Sequence, residues 1–298
     1  MIEDNGLPQI EPGMALIAPK MDQAHDRLFV TALARGIAVL RCFSASEPIL
    51  GASEIARKTD LPQPTVWRLC HTLSKLGLLV PAPASDKFQV GLAALGLGIS
   101  ALPSTDIGQL AVAEMRQLAN QYRAAVSLCV PDQTGMLITE RAQGSGSLVL
   151  NLNVGSRFDM GISAPGAAYS ACLSEGARAA LFETLEKHYG DRWPPIREKF
   201  VRATEQYRIQ GFVASRNELR PGISSVAVPI VLEQDSHVFV VTCGAPSETL
   251  DEDLIRNQLG PAVKVLAAGI KEVMQTSGKH HFVGTLQTAS PSDTKTGG

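Results

Sequence analysis

Residues 53–76 hold two amphipathic segments that meet at Asp60-Leu61-Pro62. A proline disfavours helical geometry at the residue before it, so a helix arriving there has to stop. Beyond the proline the helical spacing restarts, with Val66, Leu69, Cys70, Leu73 and Leu76 on one face of a helix over about 63–76. Two helices on so short a link cannot continue in line and must cross, which confines this stretch to a helix-turn-helix. Ser53 is expected to cap the first helix, with Glu54 in its positive first turn. Gly77 is expected to stop the second.

The flanks extend the unit. Residues 29–44 read as a helix, with Val30, Leu33, Ile37 and Leu40 at helical spacing and Pro48 beyond its end. Residues 78–80 and 87–90 read as strands around a turn-rich 81–86, which makes a hairpin. Three helices and a hairpin within 27–90 are the parts of a winged helix-turn-helix. Its second crossing helix has an outward face that can enter the ~12 Å major groove of double-stranded DNA. On that face or in its first turn lie Gln63, Thr65, Trp67, Arg68, His71, Thr72 and Lys75. Arg68 can fork onto a guanine edge or a phosphate. Trp67 packs either on sugar and thymine methyls or on the first helix or a partner subunit. Lys75 is either a phosphate contact or a solvated charge.

Charge supports this division. Residues 27–90 hold eight Lys/Arg against four Asp/Glu, a net +4, whereas the rest of the 298-residue chain carries −6. A basic segment on an acidic chain is an electrostatic footprint for nucleic acid. Several other classes find no support. No stretch approaches the ~20 apolar residues of a membrane span. Residues 1–26 lack a basic start and apolar core, and are expected to be a disordered tail, not a secretory signal. Five scattered cysteines with no paired spacing fit reduced thiols in a cytoplasm. The chain has no zinc-protease helix, nucleophile elbow, phosphate loop or dinucleotide fingerprint, and its six histidines have no metal-ligand spacing. No catalytic residue, metal or other cofactor is therefore expected.

From 91 onward the pattern changes. An apolar, glycine-containing stretch over 91–105 reads as a linker helix, and Pro103-Ser104-Thr105 marks the start of a second domain over 106–276. There, Ala111, Met115, Leu118 and Tyr122 mark an amphipathic helix. Strands are expected at 126–130, 136–141, 148–154, 212–214, 226–231 and 238–243, and helices at 164–173, 177–189 and 195–210. A final helix comes after Asp251-Glu252-Asp253, with Leu259, Val263, Leu266, Ile270 and Val273 as its stripe. Residues 277–298 read as a flexible tail. The fold class is thus α+β.

The run "EIARKTDLPQPTVWRLCHTLSKLGLL" (54–79) resembles the helix-turn-helix of the IclR family, with Arg35-Gly36 at its usual Arg-Gly. "GSRFDMGISAPGAAYSACL" (155–173) and "YRIQGFVASRNELRPGISSVAVPI" (207–230) resemble that family's glycine-alanine turn and signature. The resemblance covers roughly 27–276. It implies a GAF-like α/β effector-binding domain with a pocket on one side of its sheet. It also implies that Ser163, Ala164, Gly166, Ala167, Ser225, Thr242 and Gly244 line that pocket. A helix N-terminus there has a physical rationale as a carboxylate site. Family members that take small keto acids have a cysteine at the position of Ser225 and a serine near Gly244, two departures that argue against a glyoxylate-like ligand. The opening "DRLFVTALARGIAVL" (26–40) is similar to the family's aromatic-acid subgroup.

The expected protein is a regulator that binds a near-palindromic operator as a homodimer or homotetramer and answers to a small organic acid, in control of a catabolic operon. An enzyme with a regulatory DNA-binding domain, or a DNA-binding oligomer without a ligand, are the alternatives.

Overall fold

The computed structural model describes residues 28–44, 47–99, 105–145, 152–232 and 237–277. The expected tail at 1–26 lies outside them, and so does the tail expected at 277–298 except for Ser277, which ends the last helix.

The N-terminal unit contains α1 (Thr31–Leu40), β1 (Ile49–Leu50), α2 (Ala52–Thr59), α3 (Gln63–Lys75), β2 (Leu79–Pro81) and β3 (Phe88–Val90). Val39, Leu50, Ile55, Val66, Cys70, Leu73 and Leu79 form its core. The hairpin is a three-stranded sheet, because β1 pairs with β3 in antiparallel fashion. Asp60 turns the chain between α2 and α3 in the left-handed region, at φ 53°. Gly77 does the same after α3, at φ 71°.

Three local expectations are corrected. α2 is capped by Gly51, not Ser53, and Glu54 reaches back to accept the Gly51 N–H at 2.7 Å. Leu76 is exposed, because it is the C-cap residue where α3 turns away. The stripe Val30, Leu33 and Ile37 faces out; α1 buries Gly36 and Val39 on its other side, and Leu33 is 65% exposed.

After α4 (Ala93–Ile99) comes an α/β domain: α5 (Thr105–Gln121), β4 (Ala125–Asp132), β5 (Gly135–Gln143), β6 (Arg157–Asp159), α6 (Ala164–Cys172), α7 (Glu175–Tyr189), α8 (Trp193–Gln210), β7 (Val213–Arg216), β8 (Ile223–Leu232), β9 (His237–Pro246), the short α9 (Glu252–Leu254) and α10 (Gly260–Ser277). Its antiparallel sheet has the order β6-β5-β4-β9-β8-β7. Alternation along each strand sends residues to two cores. Met115, Val126, Leu128, Val226, Val241 and Cys243 pack with Val263 and Ile270 on the face of α5 and α10. Cys129, Ile138, Ala227 and Val240 pack with Tyr169, Leu181 and Phe200 on the face of α6, α7 and α8.

The expected strand at 148–154 is not formed over 152–154; the edge strand is β6, paired with β5. Residues 146–151 lie outside the described residues. The last helix is interrupted by a π segment, Ile255–Leu259, ahead of Gly260, where a Cβ would lie 2.4 Å from the Phe212 ring.

Candidate functional site

α3 starts at the Pro62 N-cap and presents one face to solvent. Gln63, Trp67, Arg68, His71, Thr72 and Lys75 are exposed, and Thr65 is half-buried. Trp67 does not join the core: it is 57% exposed and stacks on His71, one turn along, at 5.7 Å and 9°. The Thr72 hydroxyl donates to the Arg68 carbonyl at 3.0 Å, so its proton is engaged within the helix. Among the described residues no carboxylate pairs with Arg68 or Lys75. All seven residues sit on one helix and six of them form one polar, cationic face.

The second candidate is a hollow between the sheet and the start of α6 that opens to solvent and encloses about 30 Å³. Its floor is set by strand register. One cross-strand row is Arg141–Ser127–Thr242 on β5, β4 and β9; the next is Ala125–Gly244–Ser225 on β4, β9 and β8. Ala125 and Gly244 have almost no side chain, and the hollow lies over them. Leu152, Phe158, Leu219 and Ile223 wall it, and Ala164 and Pro165 close one side.

Four of the seven expected pocket residues line the hollow: Ala164, Ser225, Thr242 and Gly244. Ser163, Gly166 and Ala167 do not. The Ser163 hydroxyl is fully buried and accepts the Gly166 N–H at 3.3 Å, capping α6. A Cβ on Gly166 would lie 2.1 Å from the Met160 carbonyl oxygen, so this glycine faces the β6–α6 turn. Pro165 has no N–H and the Gly166 N–H is already bonded to Ser163, which takes two of the first-turn donors away from an anion. The Thr242 hydroxyl donates to the Val226 carbonyl at 3.0 Å, which leaves it an acceptor and a methyl wall. The Ser225 and Ser215 hydroxyls lie 3.2 Å apart.

The turn into α6 is clamped from behind. The Tyr189 hydroxyl donates to Asp159 at 2.5 Å, and the Gly161 N–H reaches both, at 2.9 Å each. Burial, then the bond to Asp159, raises the Tyr189 pKa. The largely buried Lys199 pairs with Glu218 and donates to the Gly161 carbonyl at 3.3 Å. Arg157 holds Asp132 at 3.0 Å, a structural pair at the β4–β5 turn.

Of the lining residues that the sequence reading missed, Arg141 is the charged one. By strict alternation from Met136 and Ile138, Glu140 would face the hollow and Arg141 would face away. The pairing jumps from Leu128–Glu140 to Cys129–Ile138, leaving Thr139 as a β-bulge. That extra residue inverts the parity and brings Arg141 onto the α6 face.

A helix-turn-helix unit joined to an α/β domain with a curled antiparallel sheet defines a class, the two-domain DNA-binding transcription regulators. Residues 32–83 match the IclR helix-turn-helix domain, and residues 99–272 match the bacterial transcriptional regulator IclR C-terminal domain. The chain belongs to the IclR family. It is 30% identical over 250 residues to the HTH-type transcriptional regulator TsaQ1/TsaQ2 of Comamonas testosteroni, covering 83% of this chain and 90% of that protein. The crystal structure of an IclR family transcriptional regulator from Brucella abortus superposes with a TM-score of 0.78 at 35% identity, covering 88% of this chain and 99% of that one. An IclR homolog from Microbacterium hydrocarbonoxydans, solved with 4-hydroxybenzoate, shares the fold at a TM-score of 0.62 and 20% identity, over 82% of this chain and 99% of that one.

Proposed function

We propose that this transcription regulator reads a near-palindromic operator through α3 and is switched by a small organic acid, of single-ring aromatic size, held in the hollow beside α6. The observation that carries the ligand reading is the hollow itself: apolar walls, a polar floor and space created by Ala125 and Gly244. The 4-hydroxybenzoate bound by the Microbacterium relative supports an aromatic acid as the ligand class. Control of a catabolic operon in the cytoplasm fits such an effector.

Arg68 is the base-reading residue in this proposal, Lys75 a phosphate contact, and Gln63, Thr65, Trp67, His71 and Thr72 complete the DNA face. Two copies act together, because one small unit buries too little surface for tight specific binding. The outward stripe of Val30, Leu33 and Ile37 on α1, with Leu92 and Leu95 beside and on α4, is the apolar surface a second copy covers.

A mobility-shift series tests the DNA reading. Arg68→Ala is expected to cost about 1–3 kcal/mol of operator affinity and to relax sequence preference. Lys75→Ala is expected to weaken all sequences alike and to flatten the salt dependence. Operator binding by Arg68→Ala equal to that of the parent would sink the assignment. The ligand reading predicts that an aromatic acid raises the melting temperature and changes operator affinity in the same titration.

A further inference from the structure

The hollow carries a single charge among its described lining residues, the Arg141 guanidinium; the other lining side chains are neutral. Arg141 reaches the floor because of the Thr139 bulge, and it is held there. Its Nη1 donates to the buried Ser127 hydroxyl at 3.0 Å, and its Nη2 donates to Gln143 at 3.2 Å. Both partners are neutral, and among the described residues no carboxylate pairs with it. Burial disfavours its charged form, only partly opposed by Cys129 behind it. A guanidinium has five donors in a planar fork. Here two of the named bonds fix its orientation, and the fork keeps further donors for an incoming group.

From this geometry we infer that Arg141 is the counter-ion of the effector, and that the site selects acids carrying one carboxylate over their amides and over dicarboxylates. The inference rests on the reading of the hollow as the ligand site and deepens it. A carboxylate matches the fork in shape and supplies the missing charge. A second carboxylate would have to lie over Ala125 and Gly244 or against Phe158 and Leu152, where no cation receives it. Such a charge would be desolvated without compensation. An uncharged amide keeps the ring contacts and leaves the guanidinium unpaired.

The far end of the site is set by the sheet. Arg141 stands on β5 and Ser225 on β8, three strand spacings away in the order β5-β4-β9-β8, or about 14 Å between backbones. The long arginine side chain takes up part of that span. The remainder matches the length of a one-ring body across the Ala125–Gly244 row, which enters as the wall side chains Leu152, Phe158, Leu219 and Ile223 part, since the space enclosed between them is about 30 Å³. A ring hydroxyl at the end opposite the carboxylate would meet the Ser225–Ser215 hydroxyl pair. The start of α6, where Pro165 has no N–H and the Gly166 N–H is held by Ser163, then offers an anion less than the Arg141 fork does.

Calorimetric titration of the full-length protein decides this. The probes are a panel of benzoates and short aliphatic monocarboxylates, each beside its primary amide, with terephthalate as the dianion. In the parent, at least one monocarboxylate is expected to bind, with its amide and the dianion about 10- to 100-fold weaker. Arg141→Gln is expected to lose that discrimination, binding acid and amide alike. Arg141→Lys keeps a positive charge at this position and is expected to retain the preference for the acid with lower affinity, which covers the case of a Gln variant that does not fold. Gly244→Val fills the floor and is expected to abolish binding of both. If Gly244→Val abolishes acid binding while Arg141→Gln leaves acid-over-amide preference unchanged, the hollow stands and the counter-ion assignment is overturned. If neither variant alters acid binding, the hollow is not the ligand site and both readings fall. A panel in which no monocarboxylate binds the parent overturns the counter-ion assignment as well.

Discussion

Glu54 shows how much one side chain can organise. Its Oε2 accepts from the Gly51 N–H at 2.7 Å and from Lys87 Nζ at 3.1 Å, tying the start of α2 to the approach to β3. The backbone bond first, and Lys87 second, hold its carboxyl below the ordinary value of 4.5. A carboxylate whose folded-state value is depressed stabilises the fold above its unfolded value, and that stability is lost as pH falls through the folded one. Glu54→Gln is therefore expected to melt earlier than the parent at neutral pH, with the gap closing as the pH drops below about 4. Circular dichroism melts across that range check it; a gap constant with pH would assign the effect to shape and not to charge. Residue preference places Glu54 in its turn but gives the cap to Ser53. A glycine at the N-cap needs no side-chain oxygen when the third helical residue reaches back, and nothing in residue preference alone reveals that exchange. Arg141 was hidden for a similar reason: one bulged residue inverts the alternation on which strand faces are read.

At the scale of elements, α6 is the most constrained piece. All nine of its residues are buried, which is why the segment is built mostly of small residues, alanine, glycine, serine and cysteine with Pro165, around a single large Tyr169. Gly166 faces the Met160 carbonyl oxygen, a backbone atom that cannot swing aside. Gly166→Val is thus expected to destabilise the second domain by about 1–3 kcal/mol or more through overpacking. A Cβ on Gly244 meets Ser225 and Ser224 at 3.6 Å, ordinary contact, so Gly244→Val is expected to melt close to the parent. Denaturant titrations of the two variants compare them directly; equal loss of stability would contradict this picture of the glycines. The strand ahead of Ala164 was expected at 148–154 and is β6, Arg157–Asp159, but the helix from Ala164 and the other long helices were readable from spacing, as were the strands at 126–130, 226–231 and 238–243. β1 was not, because two residues carry no period. The π segment at Ile255–Leu259 was not either, and neither was the close packing of Phe212 on Gly260 just after it, a contact between distant positions.

The whole molecule combines a basic, DNA-facing unit with an acidic α/β domain, and leaves an apolar stripe on the smaller one. Val30, Leu33 and Ile37 repeat at helical spacing yet face solvent, and Leu92 is 86% exposed. The periodicity was legible in the sequence, but not its direction, since a helix in so small a unit has only one side to give to its own core. If a second copy covers this stripe, Leu33→Glu with Leu95→Glu is expected to shift the assembly to a smaller species by light scattering. Operator affinity should fall with it, while the melting of the second domain stays unchanged. An unaltered assembly would place the interface elsewhere.

The five cysteines, which take no part in either site, make the molecule report on its own opening. Cys70 is sealed in the core of the N-terminal unit, and Cys129, Cys172 and Cys243 in the two cores flanking the sheet, while Cys42 is half-buried. Burial pushes the thiol of Cys70 up to about 11 and those of Cys172 and Cys243 up to about 12. A thiol that is both enclosed and protonated reacts only when its surroundings open. Labelling by an alkylating reagent, read residue by residue in a mass spectrometer, should therefore mark Cys42 first and then time the opening of each unit separately. An acid seated over Ala125 and Gly244 would slow the clock at Cys129 and Cys243 and leave the one at Cys70 running at its own rate.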